Sequence, residues 1–229
     1  MVTWLDGRSK QRLIEELFDT LDQNLQEFVN HTKEVPYGYS ERTLVGQLAI
    51  AAHDRNYYAL QDYDVLVEGR VEKDKKKRYR PDLWLTEKDS DAKNYVFEVK
   101  AQDYASVDVS RDRIIEIVNL RMRKVLKQLS DHGQPEAKYR CALMAIKIRC
   151  SPTKWRTHGA DPQSYKKAFG DLSSVVSSLS RGDFVSKPDF HSLFSIPHNN
   201  AKRLCRKIEG QEQPPLLGIL WYGVLKLNK

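Results

Sequence analysis

The chain has 229 residues, 40% of them hydrophobic, with 38 Lys plus Arg against 31 Asp plus Glu, a net charge of +7 and a pI near 9.2. That size and apolar content can bury one good core, so a single domain with decorations is expected, and the basic balance favours a polyanionic partner such as nucleic acid. Three cysteines without Cys-x-x-Cys spacing and six scattered histidines argue for a reducing, cytoplasmic setting and against a disulfide framework or a zinc site.

Leu13, Leu17, Leu21, Leu25 and Phe28 recur at helical spacing among charges, which predicts an amphipathic helix within residues 1–35 rather than a signal peptide or a membrane span. Ser40 is placed to cap a helix from Glu41 to about Arg55, with Val45, Leu48 and Ala52 on its apolar stripe. Three strand-like runs follow, Tyr63 to Val71, Tyr79 to Leu85 and Tyr95 to Ala101, separated by charged loops. From about Ser110 to Ser130, the residues Ile114, Val118, Met122, Val125 and Leu129 form one helical stripe, closed off by Gly133 and Pro135. Tyr139 to Ile148 reads as a strand buried on both faces. In residues 151–229, Gln163 to Leu179 suits a helix, Asp183 to Asn200 suits an irregular segment packed by its aromatics, and Leu216 to Leu227 suits one or two closing strands. Cys141, Cys150 and Cys205 read as buried fillers, Trp155 as a packing anchor and most histidines as surface or loop residues.

Within this order, Arg80-Pro81-Asp82 and Phe97-Glu98-Val99-Lys100 hold the chemistry. Side chains alternate along a strand, so Glu98 and Lys100 share one face while Phe97 and Val99 share the other. Pro81 lacks an amide hydrogen and interrupts its strand, which sets Asp82 where two neighbouring strands begin to part. Two carboxylates beside an ammonium suit hydrolysis of a phosphodiester assisted by Mg²⁺, with Mn²⁺ able to substitute, because such an ion takes one or two carboxylates and keeps its waters. Asp82 and Glu98 are the candidate metal ligands, and Lys100 is the candidate for orienting the water, helping to deprotonate it or offsetting transition-state charge. Asp91-Ala92-Lys93, Pro188-Asp189 and Asp74-Lys75-Lys76 resemble parts of the pattern, but no strand with alternating faces supports them.

Pro81-Asp82 followed by Glu98-Val99-Lys100 resembles the PD-(D/E)xK phosphodiesterase superfamily, the restriction-endonuclease-like nucleases, over roughly residues 40–150. The resemblance implies an α/β fold with a restriction-endonuclease-like core: a central mixed β-sheet flanked by helices in αβββαβ order, here with a helical N-terminal extension and a C-terminal decoration. It also implies that Glu41, on the helix before the meander, helps position a metal or its water, and that the Val99 carbonyl adds to the metal's ligands.

Lys73, Lys75, Lys76, Lys77, Arg78 and Arg80 crowd the approach to Asp82, and Arg113, Arg123, Lys124 and Lys127 lie opposite the apolar stripe of the later helix, so both sets are candidate phosphate contacts. The reading is therefore a DNA-cutting enzyme of the restriction, repair or recombination type, with RNA left open as the polyanion and a homodimer expected if both strands of a duplex are cut. Its rival is a nucleic-acid-binding module or subunit that keeps the same fold without turnover.

Overall fold

Leu13, Leu17, Leu21, Leu25 and Val29 recur every fourth residue and so lie along one side of a helix. A computed structural model of the chain describes residues 2–4, 11–32, 40–62, 65–72, 75–88, 94–104, 111–131, 137–149, 188–195, 207–208, 211–212 and 216–227. There α1 (Arg12–Thr32) buries those five side chains. Helix α2 (Glu41–Asp54) begins where the sequence predicts: Ser40 is extended, and its hydroxyl accepts from the Thr43 N–H at 3.3 Å. Leu44, Val45, Leu48, Ala51 and Ala52 form its buried side. In α3 (Arg111–Asp131) the buried residues are Met122, Val125, Leu126 and Leu129. Among the described residues, no helix is long and apolar enough to cross a membrane.

The strands are β1 (Val2–Trp4), β2 (Tyr57–Gln61), β3 (Val65–Glu72), β4 (Lys75–Tyr79), β5 (Leu83–Glu87), β6 (Asn94–Tyr104), β7 (Tyr139–Arg149), β8 (Phe190–Ser195), β9 (Lys207–Ile208), β10 (Gln211–Glu212) and β11 (Leu216–Leu227). Seven of them form one mixed sheet in the order β1-β8-β11-β7-β6-β5-β2, in which only the β6–β7 pair is parallel. Parallel neighbours need a crossover, and α3 supplies it. The middle of the sheet is covered on both sides. Phe97, Val99, Cys141, Leu143, Ala145 and Trp221 pack with α1 and α2, whereas α3 lies against β6 and β7, whose residues of opposite parity include buried Val96, Ala142 and Met144. Under α1 the packing is aromatic: Phe18 meets Phe190 and Trp221 edge-on at centroid distances of 5.5 and 5.6 Å. Gly223 admits this cluster, since a Cβ there would sit 2.1 Å from the Phe190 ring.

Three expectations need correcting. The first meander strand is β2, not Tyr63 to Val71; the latter segment lies largely in β3, which pairs with β4 as a ribbon outside the main sheet. Tyr79 to Leu85 is not one strand, because Arg80, Pro81 and Asp82 separate β4 from β5. The aromatics after Asp183 are not irregular throughout: Phe190 and Phe194 point into the core from β8, and His191 of the same strand is buried rather than on the surface. The expected central strand (β7), the closing strand (β11) and the helices α1, α2 and α3 are observed. Gln163 to Leu179, Trp155, Cys150, Cys205, Lys73, Asp74 and Asp91-Ala92-Lys93 lie outside the described residues.

Candidate active site

Strand β6 outlasts its neighbour β5. Their pairing ends at Leu83 with Phe97, whereas β6 stays paired with β7 on its other side as far as Tyr104 with Ile148. Buried Pro81 accounts for the early end of β5, since it cannot donate to a ladder. Beyond Phe97, the amides of Val99 and Ala101 therefore lack a strand partner on that side, and buried amides need one. Two carboxylates provide it: Val99 N–H donates to Asp82 Oδ2 at 2.7 Å, and Ala101 N–H donates to Glu41 Oε2 at 2.9 Å. Such bonds to charged acceptors contribute about 1.5–3 kcal/mol each, so the opened edge also fixes the two acids in place.

Lys100 lies between them. Its Nζ donates to Glu41 Oε1 at 3.0 Å and to the Val99 carbonyl at 2.9 Å, and it stands 3.6 Å from Asp82 Oδ2. The cluster is open to solvent: the side chains of Lys100, Asp82 and Glu41 are 26%, 20% and 35% exposed. Burial by itself would lower the Lys100 pKa, but Asp82, Glu41 and Glu98 together outweigh it and hold the ammonium above the ordinary lysine range. Glu98 shares the strand face of Lys100 and is 2% exposed, close enough to act on it electrostatically.

Of the residues expected from the sequence, Asp82, Lys100, Glu41 and the Val99 carbonyl thus meet at one point, while Glu98 is buried on the strand face of Lys100. Arg80 is exposed two residues from Asp82, Lys75, Lys76, Lys77 and Arg78 belong to β4, and Arg123, Lys124 and Lys127 are exposed on α3. The other basic candidate on α3, Arg113, is part of its first turn. Sequence reasoning missed the roles of the Val99 and Ala101 amides; the signal for them was the proline that ends β5 one residue before the acid.

The donor chemistry fits a hard cation. Asp82 Oδ2, Glu41 Oε1 and the Val99 carbonyl are oxygens that already converge on a positive charge, the Lys100 ammonium. Among the described residues, no three His, Cys, Asp or Glu side chains are grouped as a metal cluster, so the fit rests on two carboxylates and a carbonyl, a set that suits Mg²⁺ with its retained waters.

A cavity of about 290 Å³ opens at the other end of β6, lined by Arg12, Glu16, Arg55, Tyr57, Glu87 and Tyr95. Its charged groups are partnered: Arg12 with Glu16 at 2.6 Å, Arg55 with the Thr20 hydroxyl at 2.5 Å and the Tyr57 hydroxyl with Glu87 at 3.4 Å. No family profile, no curated protein and no solved structure matches the chain.

Proposed function

We propose that this protein is a metal-dependent nuclease with a restriction-endonuclease-like core that hydrolyses DNA phosphodiester bonds, in restriction, repair or recombination. The observation that supports this reading is the convergence of Asp82, Glu41 and the Val99 carbonyl on Lys100 at the open edge of β6. Asp82, Glu41 and the Val99 carbonyl would hold the metal together with Glu98, the other carboxylate expected from the sequence, which is buried on the strand face of Lys100. When bound, Mg²⁺ or Mn²⁺ polarises the phosphoryl group and lowers the pKa of its water. Lys100, as an ammonium, donates hydrogen bonds that orient the attacking water and offset the charge gathering on the phosphoryl oxygens. The Val99 and Ala101 amides keep the two carboxylates from turning away, so the ligands are arranged before substrate arrives. Arg80, exposed two residues before Asp82, supplies phosphate affinity without sequence readout, as would Lys75, Lys76, Lys77 and Arg78, which precede it in the chain.

The test is incubation of the purified protein with plasmid and with linear single- and double-stranded DNA in Mg²⁺ or Mn²⁺, beside an EDTA control and the Asp82→Asn and Lys100→Ala variants. Cleavage that disappears in EDTA and in both variants is expected; cleavage by the variants equal to that of the parent would overturn the assignment. A second reading, a nucleic-acid-binding module without turnover, draws on the same geometry, because Lys100 and two amides already engage the acids. Calorimetry separates the two, since only the nuclease reading requires Mn²⁺ or Mg²⁺ binding that Asp82→Asn removes.

A further inference from the structure

The sheet face that carries Glu98 and Lys100 is covered by α3 over β6 and β7. Farther out, on β5 and β2, it presents large apolar groups to water. Tyr58 and Leu60 are 55% and 49% exposed, and half-buried Trp84 lies opposite Leu60 in the β2–β5 pairing. Their alternate neighbours Tyr57, Leu83 and Leu85 are in the core, so this part of the sheet is apolar on both faces. An antiparallel sheet that meets water normally alternates apolar with polar, and a contiguous exposed apolar block marks a binding surface.

Its position narrows the occupant. Trp84 is the second residue of β5 and Asp82 stands immediately before that strand, so the block adjoins the candidate active site. Positive charge meets it: Lys88 Nζ stands over one face of the Tyr58 ring, 5.4 Å from its centroid, and Arg80 is exposed at the other end. Flat aromatic faces beside cations suit unpaired bases on a phosphate backbone, whereas paired bases in a duplex have their faces already covered by their neighbours. Pairing of β2 with a second copy is opposed by its brevity: Asn56 and Asp62, with φ of 62° and 48°, end it on both sides, and short edge strands resist addition of another strand.

We propose that Trp84, Leu60 and Tyr58 form a stacking platform for unpaired nucleotides beside the scissile phosphodiester, so that the substrate is a single strand or a single-stranded end. The proposal rests on the nuclease reading of the neighbouring site and deepens it by naming the form of nucleic acid taken.

The experiment is fluorescence anisotropy with labelled oligothymidylate and with a hairpin duplex of equal length, in EDTA so that nothing is cut, on the parent protein, Asp82→Asn and the double variant Tyr58→Ala/Leu60→Ser. Both substituted residues of the double variant are exposed, so folding is retained, which circular dichroism verifies. Single-strand affinity should fall about tenfold in the double variant, with duplex affinity within roughly twofold and the salt slope unchanged, while Asp82→Asn keeps single-strand binding. Unchanged single-strand affinity in the double variant overturns the proposal, as does a dimer seen by ultracentrifugation that the double variant abolishes, which would assign the block to self-association. Cutting by a protein indifferent to the double variant retains the nuclease and removes the platform. Single-strand binding that depends on Tyr58 in a protein that never cuts retains the platform and removes the nuclease.

Discussion

The two ends of β6 use polar groups in opposite ways. At its beginning the strand is paired with β5 on one side and β7 on the other, Tyr95 stacks on Tyr139 with centroids 4.7 Å apart, and the charges around the nearby cavity pair among themselves. At its far end β5 is missing, and carboxylates from β5's leading turn and from α2 take over the amides that a strand would have bonded. Polar groups at the first end complete a structure. Those at the second replace one, which leaves acids and an ammonium fixed by the backbone yet open to solvent. The comparison teaches that an interrupted ladder can prepare a charged site without a long loop to carry it.

The largest difference should appear in catalysis. Asp82→Asn or Lys100→Ala at the open end is expected to lower the cleavage rate by about 10³-fold, whereas Tyr57→Phe at the closed end should leave it within roughly twofold, measured on one DNA substrate in Mg²⁺. Equal losses at both ends would end the distinction. Next in size is stability. Glu41→Ala leaves the Ala101 amide without its acceptor and Lys100 without one partner, a cost of about 1.5–3 kcal/mol, while Glu16→Ala, which removes a pair with the well-exposed Arg12, should leave stability essentially unchanged. Urea denaturation of the two variants measures both. The smallest effect is alkaline. Burial, reinforced by Glu87, pushes the Tyr57 hydroxyl up to about 12. The neutral phenol is therefore favoured in the folded state, and its contribution is whole below the ordinary tyrosine value near 10 and is lost as pH rises from about 10 to about 12. Tyr57→Phe should flatten that part of the stability profile, and an unchanged slope would place the alkaline sensitivity elsewhere.

Much of this arrangement was legible in the sequence because its signals are local. Ser40 before an apolar period gives α2, the alternation Phe97-Glu98-Val99-Lys100 gives β6 its two faces, and Pro81 beside Asp82 gives the parting of the strands. What was not legible depends on distant partners. Tyr57–Gln61 carries apolar groups on both faces and so lacks the period of a half-buried strand, while the more β-prone Val65–Glu72 nearby folds onto β4 instead. Phe190 and Phe194 alternate with Ser192 inside β8, yet the length of that strand is set by β11, far along the chain. The burial of Glu98 was hidden for the same reason, since it depends on the packing around β6 and not on its own strand.

The order of strands across the sheet also imposes an order in time. Strand β11 lies between β7 and β8, and β1 reaches the sheet only through β8. On the ribosome, β2, β5, β6 and β7 can therefore assemble as they emerge. Strand β1 must wait for β11 before it has a place in the sheet, and until then the outer side of β7 is an unpaired edge for a chaperone to shield.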